Sequence, residues 1–305
     1  MNLRTKKTIR ESKSDKIFTF MNYFLLTMAL IIFGYPLIFI VSASFSSGRA
    51  LMTNSVWLWP VEFTLEGYQA VFAYRMIISA FRNSFVYMIV GTAINLLMTI
   101  LAAYPLSRKD FYGGKIIAMI FVFTMFFNSG LIPTFILVNN LGMRNTIWAM
   151  VIPNALSVWN VIITRTFFKS TIPESLSEAA QLDGCNDFKF VLLVVLPLSK
   201  AIIAVMTLFY AVAHWNSFFN ALLFLSQQEL FPLQIILRQI LIQNEIDFSM
   251  IAAGAIDVQT EAVRIHIREL LRYSVIVVSS VPFLILYPFI QRHFVKGVMI
   301  GSLKG

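Results

Sequence analysis

A short polar run in the middle of the chain carries the residue types best suited to docking on another protein. Glu178 is followed directly by Ala179 and Ala180. The two small side chains allow close approach of a second protein surface, and the carboxylate beside them is a hydrogen-bond acceptor. Asp183 and Gly184 follow, and glycine is the usual residue where a helix ends in a left-handed turn. The run therefore suits close approach by another protein surface.

The rest of the sequence offers no residue pattern suited to catalysis or metal binding. The single cysteine, Cys185, excludes a disulfide framework and a cysteine-based metal site, and three widely separated histidines have no metal-ligand spacing. The glycine–glycine–lysine run at 113–115 lacks the upstream glycine of a phosphate-binding loop and is followed by isoleucine. We therefore predict a non-enzymatic chain that has no catalytic residue, metal or cofactor of its own.

The elements that position this run are predicted to be membrane-spanning helices. The 305 residues are 58% hydrophobic and 13% charged, with a mean hydropathy of +0.76, whereas soluble domains carry about 25% charged residues. A bilayer core needs about 20 helical residues, and six runs free of charged residues are that long. They are 17–44, 83–107, 116–143, 145–164, 201–228 and 273–291. The predicted fold class is all-α, a polytopic membrane protein with six transmembrane helices. In the alternative, one of the six runs is a buried or re-entrant segment, and the pair 116–143 and 145–164 is the weakest.

The lysines predict the orientation of these spans. If both termini are cytoplasmic, the internal segments 1–16, 108–115, 165–200 and 292–305 hold all 11 lysines and 16 of the 24 cationic residues, as the positive-inside rule requires. We predict a basic cytoplasmic tail at 1–16, a membrane domain at 17–291 and a cytoplasmic C-terminal tail at 292–305. The net charge of +9 thus needs no nucleic acid to explain it, and the basic tail suits contact with anionic membrane lipid.

The composition of the spans indicates which energy source the protein can use. All 15 acidic residues lie outside the six runs. Ion-coupled carriers, pumps and voltage sensors use charged or titratable side chains inside the membrane, so these classes are disfavoured. With no phosphate loop in this chain, the transport of a solute needs a partner that hydrolyses nucleotide. An ATP-independent channel or carrier is the alternative.

The internal loop at 165–200 carries local helix signals. Pro173 suits a first helical position and Glu174 suits the positive end of the helix dipole. Gly184 suits the stop, and Asn186 or the residue after it can cap a second segment that runs to 195 and is closed by Leu-Pro-Leu. We predict a short helix, a glycine turn and a second short helix.

Three pieces of this loop resemble the EAA motif of ABC importer permeases. They are Glu178-Ala179-Ala180, Asp183-Gly184 and Leu196-Pro197-Leu198. In that family the loop forms a coupling helix that docks in a cleft of the cytoplasmic ATPase. The resemblance implies a type I ABC importer permease fold, an ATPase-coupling role for the first five of these residues, and ATP and Mg²⁺ bound by the partner ATPase. The sequence departs from the usual pattern at Cys185, commonly alanine, and at Ala201, where a proline often follows.

Other segments resemble the carbohydrate class, similar to the smaller permease of the maltose importer. They are Trp59-Pro60, the Phe-Thr-Leu-Glu-Gly-Tyr run at 63–68, the His-Trp-Asn-Ser-Phe-Phe-Asn run at 214–220 and the C-terminal 291–305. The resemblance spans about 15–305 and is closest to oligosaccharide permeases such as alginate and pectin-fragment importers. It implies a second, unlike permease, two ATPases and an extracytoplasmic sugar-binding protein at a prokaryotic cell membrane. A permease for polyamines or peptides is the nearer alternative.

The fifth predicted span carries the candidate substrate path. Trp215 offers a ring on which a sugar could stack, and Asn216 and Asn220 are four residues apart, so we predict that their amides lie on one helical face. Unpaired buried polar groups cost roughly 1–3 kcal/mol, so these amides contact the sugar, bond to neighbouring helices or meet headgroups near the outer end of the span. In maltose-type importers this span lines the cavity between the permeases. We interpret His214 as a hydrogen-bonded bundle residue and not as a ligand.

Overall fold

The structure is a computed structural model that describes residues 12–73, 75–127, 129–240 and 269–285. Within these ranges all regular secondary structure is helical. The helices are α1 (Lys13–Ser44), α2 (Gly48–Met52), α3 (Glu66–Ala73), α4 (Arg75–Ser107), α5 (Gly114–Phe126), α6 (Leu131–Asn140), α7 (Ile147–Val151), α8 (Val158–Thr171), α9 (Glu174–Leu182), α10 (Asp187–Phe190), α11 (Leu196–Leu198), α12 (Lys200–Trp215), α13 (Phe218–Phe224), α14 (233–240) and α15 (269–285).

The described residues fall into two compact units, one built from 12–71 with 269–277 and the other from the remainder. In the first unit, the Ser44 and Tyr68 hydroxyls lie 2.8 Å apart and connect the end of α1 to α3. Gly67 allows α3 to approach α15 closely, because a Cβ at this position would lie 2.2 Å from the Ser274 hydroxyl oxygen.

Helix α1 is apolar and exposed along most of its length. It begins at Lys13, within the segment predicted as a cytoplasmic tail, and the Asp15 carboxylate accepts a hydrogen bond from the Ser12 N–H at 3.2 Å. Its large apolar side chains are exposed, among them Phe18 at 72% and Phe33 at 73%. A helix that is apolar all round needs lipid or protein around it. The rest of that tail, and the tail predicted at 292–305, lie outside the described residues.

Helix α4 is the central element of the second unit and packs against α8 and α12. Its buried polar side chains find partners elsewhere in the unit: Asn83 donates to the Glu229 carbonyl at 2.6 Å, and the Thr99 hydroxyl lies 2.6 Å from that of Tyr210. Hydrogen bonds of this kind hold membrane helices together where the hydrophobic effect cannot. These hydrogen bonds connect α4 to its neighbours within the unit.

The predicted spans are only partly reproduced as single helices. In the described part of the chain, α1 and α4 are each long and apolar enough to cross a bilayer, and three bent pairs raise the total to five if each pair is one span. The pair α5–α6 bends by 110° next to Gly130, which has a φ of +81° that favours glycine. The run at 273–291 extends beyond the described residues. The all-helical class is confirmed for those residues, and the six-span count stays a prediction.

Candidate functional site

The predicted docking loop folds as a short helix, a turn and a second helix. Pro173 occupies the N-cap of α9, so the helix begins one residue later than predicted. After the turn, the Asn186 side chain accepts a backbone N–H at 2.8 Å and caps α10, as predicted. The second helix does not close at 195. Its turns continue through a π-helical stretch to Leu198, and the chain then bends by 86° into α12.

The turn between α9 and α10 is built on Gly184. This residue has a φ of +72°, and no heavy atom would lie within 4 Å of a Cβ placed there. Its N–H donates to the Gln181 carbonyl at 3.0 Å, and the Cys185 N–H donates to the Ala180 carbonyl at 2.9 Å. These two bonds are the Schellman arrangement that ends a helix at a left-handed residue. The glycine is therefore required by the backbone and not by packing.

Helix α9 presents one face outward. Glu178, Ala179 and Asp183 are exposed, and Leu182 between them is 90% exposed. These positions are three and four residues apart, so their side chains form a continuous surface. Ala180 points the other way and packs on the buried cluster beneath the helix. Of the five predicted coupling residues, Ala180 thus lies on the inner face, and Leu182 was missed because an isolated leucine carries no motif signal.

Arg108, immediately after α4, connects that helix to the docking loop and was also missed by sequence reasoning. Its Nε and Nη2 donate to the Asp110 carboxylate at 2.7 and 2.6 Å, and its Nη1 donates to the Ser177 hydroxyl in α9. The hydrogen bonds with Asp110 raise the pKa of Arg108 and lower the pKa of Asp110. The sequence could not indicate this contact, because Arg108 and Ser177 are 69 residues apart in the chain.

A second cation reaches the same helix from the next position. The Nζ of Lys109 lies 2.5 Å from a carboxylate oxygen of Glu174, and this interaction raises the pKa of Lys109. Both side chains are more than half exposed, so the pair contributes little to stability. A groove of about 420 Å³ lies between α9 and the end of α4. Polar side chains therefore bridge these two elements across the groove.

The first candidate path residue, Trp215, is buried inside this chain. Its side chain is 2% exposed, and its ring lies edge-on to Phe81, Phe85 and Phe283, with centroid distances of 5.6, 5.2 and 5.6 Å. Edge-to-face aromatic contacts of this kind stabilise a packed core. The ring has no open face on which a sugar could stack in this conformation.

The two candidate asparagines do not share one continuous helix, so that part of the sequence prediction is wrong. The Asn216 amide donates to the Val212 carbonyl at 3.0 Å and sits at the end of α12, whereas Asn220 lies in α13. A side chain that bonds to the preceding turn competes with the helical backbone, and here the helix ends. Asn216 is exposed, and its side-chain oxygen accepts a hydrogen bond from Gln234 at 3.4 Å.

His214 is a hydrogen-bonded bundle residue, as predicted. Its Nε2 lies 2.6 Å from the Asn95 side-chain oxygen, and the Asn95 amide donates to the Asn154 carbonyl at 2.6 Å. Gly91 leaves room for the ring, since a Cβ there would lie 2.3 Å from the His214 Nε2. This buried network connects α4, α12 and the break that precedes α8.

Comparison with known proteins identifies the family. Over 294 residues the chain is 37% identical to the polygalacturonan/rhamnogalacturonan transport system permease protein YtcP of Bacillus subtilis (strain 168), across 95% of this chain and 99% of that protein. The chain belongs to the permeases of carbohydrate ABC importers. The permease is also 35% identical to the protein LplC of the same organism, across 98% of both chains. No family model matches it.

A solved structure agrees with this assignment. A chain of a bacterial ABC transporter that imports the acidic polysaccharide alginate superposes with a TM-score of 0.84 at 32% identity, and the match covers 94% of the permease and 100% of that chain. The permease therefore has the fold of an ABC importer membrane subunit and is a non-catalytic transport component. The resemblance drawn from its sequence motifs to the carbohydrate class is confirmed.

Proposed function

We propose that the permease forms half of the translocation pathway of an ATP-driven oligosaccharide importer and that α9 couples it to the cytoplasmic ATPases. The observation that carries the proposal is the outward face of α9. There, Glu178, Ala179, Leu182 and Asp183 are exposed on a short helix that is terminated by the Gly184 turn. Small and apolar side chains flanked by carboxylates suit a cleft in another protein. ATP and Mg²⁺ are bound by that partner.

Acidic oligosaccharides are the proposed substrate class. One relative is named for polygalacturonan and rhamnogalacturonan, and the similar solved importer takes an acidic polysaccharide. In the predicted topology every cation outside the cytoplasmic segments is an arginine, and Arg75, Arg82 and Arg238 are exposed. The planar guanidinium binds carboxylates in a bidentate manner, which a lysine cannot do. These arginines provide carboxylate-binding groups along the approach to the membrane.

The proposed substrate path includes Trp215, Asn216 and Asn220. Asn216 is the exposed member, and its contact with Gln234 at 3.4 Å is weak enough to be exchanged for a sugar hydroxyl. Asn220 lies one short helix further along. Trp215 would present its ring to a sugar only after separation from the phenylalanines around it. Alternating access in such an importer supplies a motion of this kind.

The proposed complex contains four further subunits. A second, unlike permease completes the pathway, two ATPases bind on the cytoplasmic side, and an extracytoplasmic protein delivers the sugar. The lysine distribution supports a position in a prokaryotic cell membrane with both termini cytoplasmic.

Photo-crosslinking from α9 tests the docking role. A Cys185→Ser chain has no cysteine, so Leu182→Cys in that background can carry a benzophenone probe alone. In membranes that contain the complete importer, we expect the probe to capture the ATPase subunit, identified by its mass. The same probe on Trp59→Cys, which is 80% exposed on the predicted outer side, is the control and should not. Equal capture from both positions, or none from 182, would overturn the docking proposal.

A further inference from the structure

The guanidinium of Arg108 contacts both arms of the docking loop. On the first arm, Nη1 donates to the Ser177 hydroxyl within α9. On the second arm, the same nitrogen lies 3.6 Å from the Asp187 carboxylate at the start of α10. Tyr104 reinforces this contact, because its hydroxyl accepts from Arg108 at 3.3 Å and donates to Asp187 at 3.2 Å. One side chain thus connects the residues on either side of the turn to the end of α4.

Arg108 is held in place by several polar contacts. Its side chain is only 16% exposed, and two parallel hydrogen bonds to Asp110 fix the plane of the guanidinium. Bidentate pairs add geometric specificity as well as energy. By contrast, the adjacent Lys109 makes a single contact to α9, and its side chain is 72% exposed. The two neighbouring cations therefore differ in exposure and in the number of their contacts, although both touch α9.

Helix α4, which ends just before Arg108, extends this connection toward the membrane helices. Thr99 and Asn95 lie on α4, about two and a half and three and a half turns before Arg108, and they bond to Tyr210 and His214 of α12 at 2.6 Å each. Arg108 follows Asn95 by thirteen positions, a helical rise of about 20 Å. A displacement of the docking loop that moves Arg108 would therefore also move buried contacts beside the proposed substrate path.

We infer that Arg108 is a positioning residue for coupling: it clamps both arms of the docking loop to α4, so that motion of the loop is passed to the membrane helices. The inference rests on the proposed docking role of α9. It adds a residue that touches neither nucleotide nor sugar and acts through α4. A purely structural role would instead reduce assembly and all activities together.

The test compares neutral variants of the two adjacent cations in the complete importer. Transported sugar per ATP hydrolysed is measured in proteoliposomes, together with the amount of ATPase that copurifies. We expect Arg108→Gln to keep the ATPase bound and to lower transport per ATP about tenfold, the effect of losing a charge-assisted hydrogen bond. Lys109→Gln, the matched control, should stay near the wild-type ratio. Ser177→Ala removes only the contact to the first arm and should give a smaller loss with assembly intact.

The outcomes separate this inference from the docking proposal. If Glu178→Lys uncouples while Arg108→Gln and Ser177→Ala keep the wild-type ratio, the clamp is refuted and α9 still docks. If none of the three changes the ratio, the docking role itself fails. If Arg108→Gln reduces ATPase binding and transport in parallel and Ser177→Ala has no effect on coupling, Arg108 is structural and the inference is overturned.

Discussion

The turn at Gly184 allows a quantitative test of coupling. Its φ of +72° lies in the left-handed region, where an L side chain costs about 1–2 kcal/mol. A Cβ at this position would meet no heavy atom within 4 Å. The whole penalty of Gly184→Ala is therefore backbone strain, and Gly184→Val adds the restriction of a β-branched side chain. The native turn should lose a factor of about 5–30 in population.

This loss should appear as uncoupling. In proteoliposomes that contain the complete importer, we expect Gly184→Val to insert normally and to lower transported sugar per ATP by more than the factor of about 5–30 that the backbone strain alone costs. Gly184→Asn should lie close to wild type because asparagine tolerates left-handed backbone, and Gly184→Ala should fall between the two.

A second glycine provides the matched control. Gly113 has a φ of +76° and equally open surroundings, but it precedes α5 and not the docking loop. Gly113→Val carries the same strain and should leave transport per ATP near wild type. Equal uncoupling by both valine variants, or normal coupling in Gly184→Val, would refute the reasoning.

Three further predictions concern topology, ionisation and the substrate path. Lys189 should resist an impermeant amine reagent in intact cells while Ser55→Lys is labelled, and labelling of Lys189 from outside would end the six-span topology. In inside-out vesicles, the rate at which Lys109 is acylated should rise at a lower pH in Glu174→Gln than in the wild type. The reason is that the Glu174 carboxylate raises the pKa of the Lys109 amine, and only the neutral amine reacts. An unchanged pH profile would contradict the ion pair. Asn216→Leu should still bind the ATPase but lose sugar-stimulated transport more than basal ATPase activity, and equal losses would remove it from the path.

The docking loop could be predicted from the sequence because local interactions build it. Asn186 accepts a backbone N–H three residues away, and Gly184 donates to a carbonyl three residues back. Residue types that cap helices act over these short distances, so a single sequence displays them. The sequence did not predict that the helix continues through the π-helical stretch at 191–195 to Leu198. A proline such as Pro197 is a stop signal whether a helix ends there or only changes its pitch.

The break after Trp215 was missed for a different reason. The run at 201–228 contains no proline or glycine near that point, so composition alone predicts a continuous span. The available signal was the pair Asn216 and Ser217, whose side chains donate to the Val212 and His214 carbonyls at 3.0 and 2.6 Å. Such side chains compete with the backbone for helical carbonyls, and whether they end the helix depends on tertiary packing.

The clamp at Arg108 could not be predicted from a single sequence. Its contacts to Ser177 and to Asp187 connect residues far apart in the chain, through the packing of α4 beside the docking loop. In a sequence, an arginine at the end of an apolar run is interpreted as a signal of membrane topology. Only the fold shows that the same side chain is largely buried and touches both arms of the loop.

Uptake of an acidic oligosaccharide tests directly whether the permease belongs to an ATP-driven importer coupled through α9. The complete importer, with its sugar-binding protein, is reconstituted in proteoliposomes, and entry of labelled oligogalacturonide or oligoalginate is followed with ATP or with a non-hydrolysable analogue. We expect the sugar to accumulate against its gradient only with ATP, and we expect Glu178→Lys to abolish this accumulation while it still hydrolyses ATP. Equal entry with the analogue, or accumulation by Glu178→Lys at the wild-type rate, would contradict this coupling.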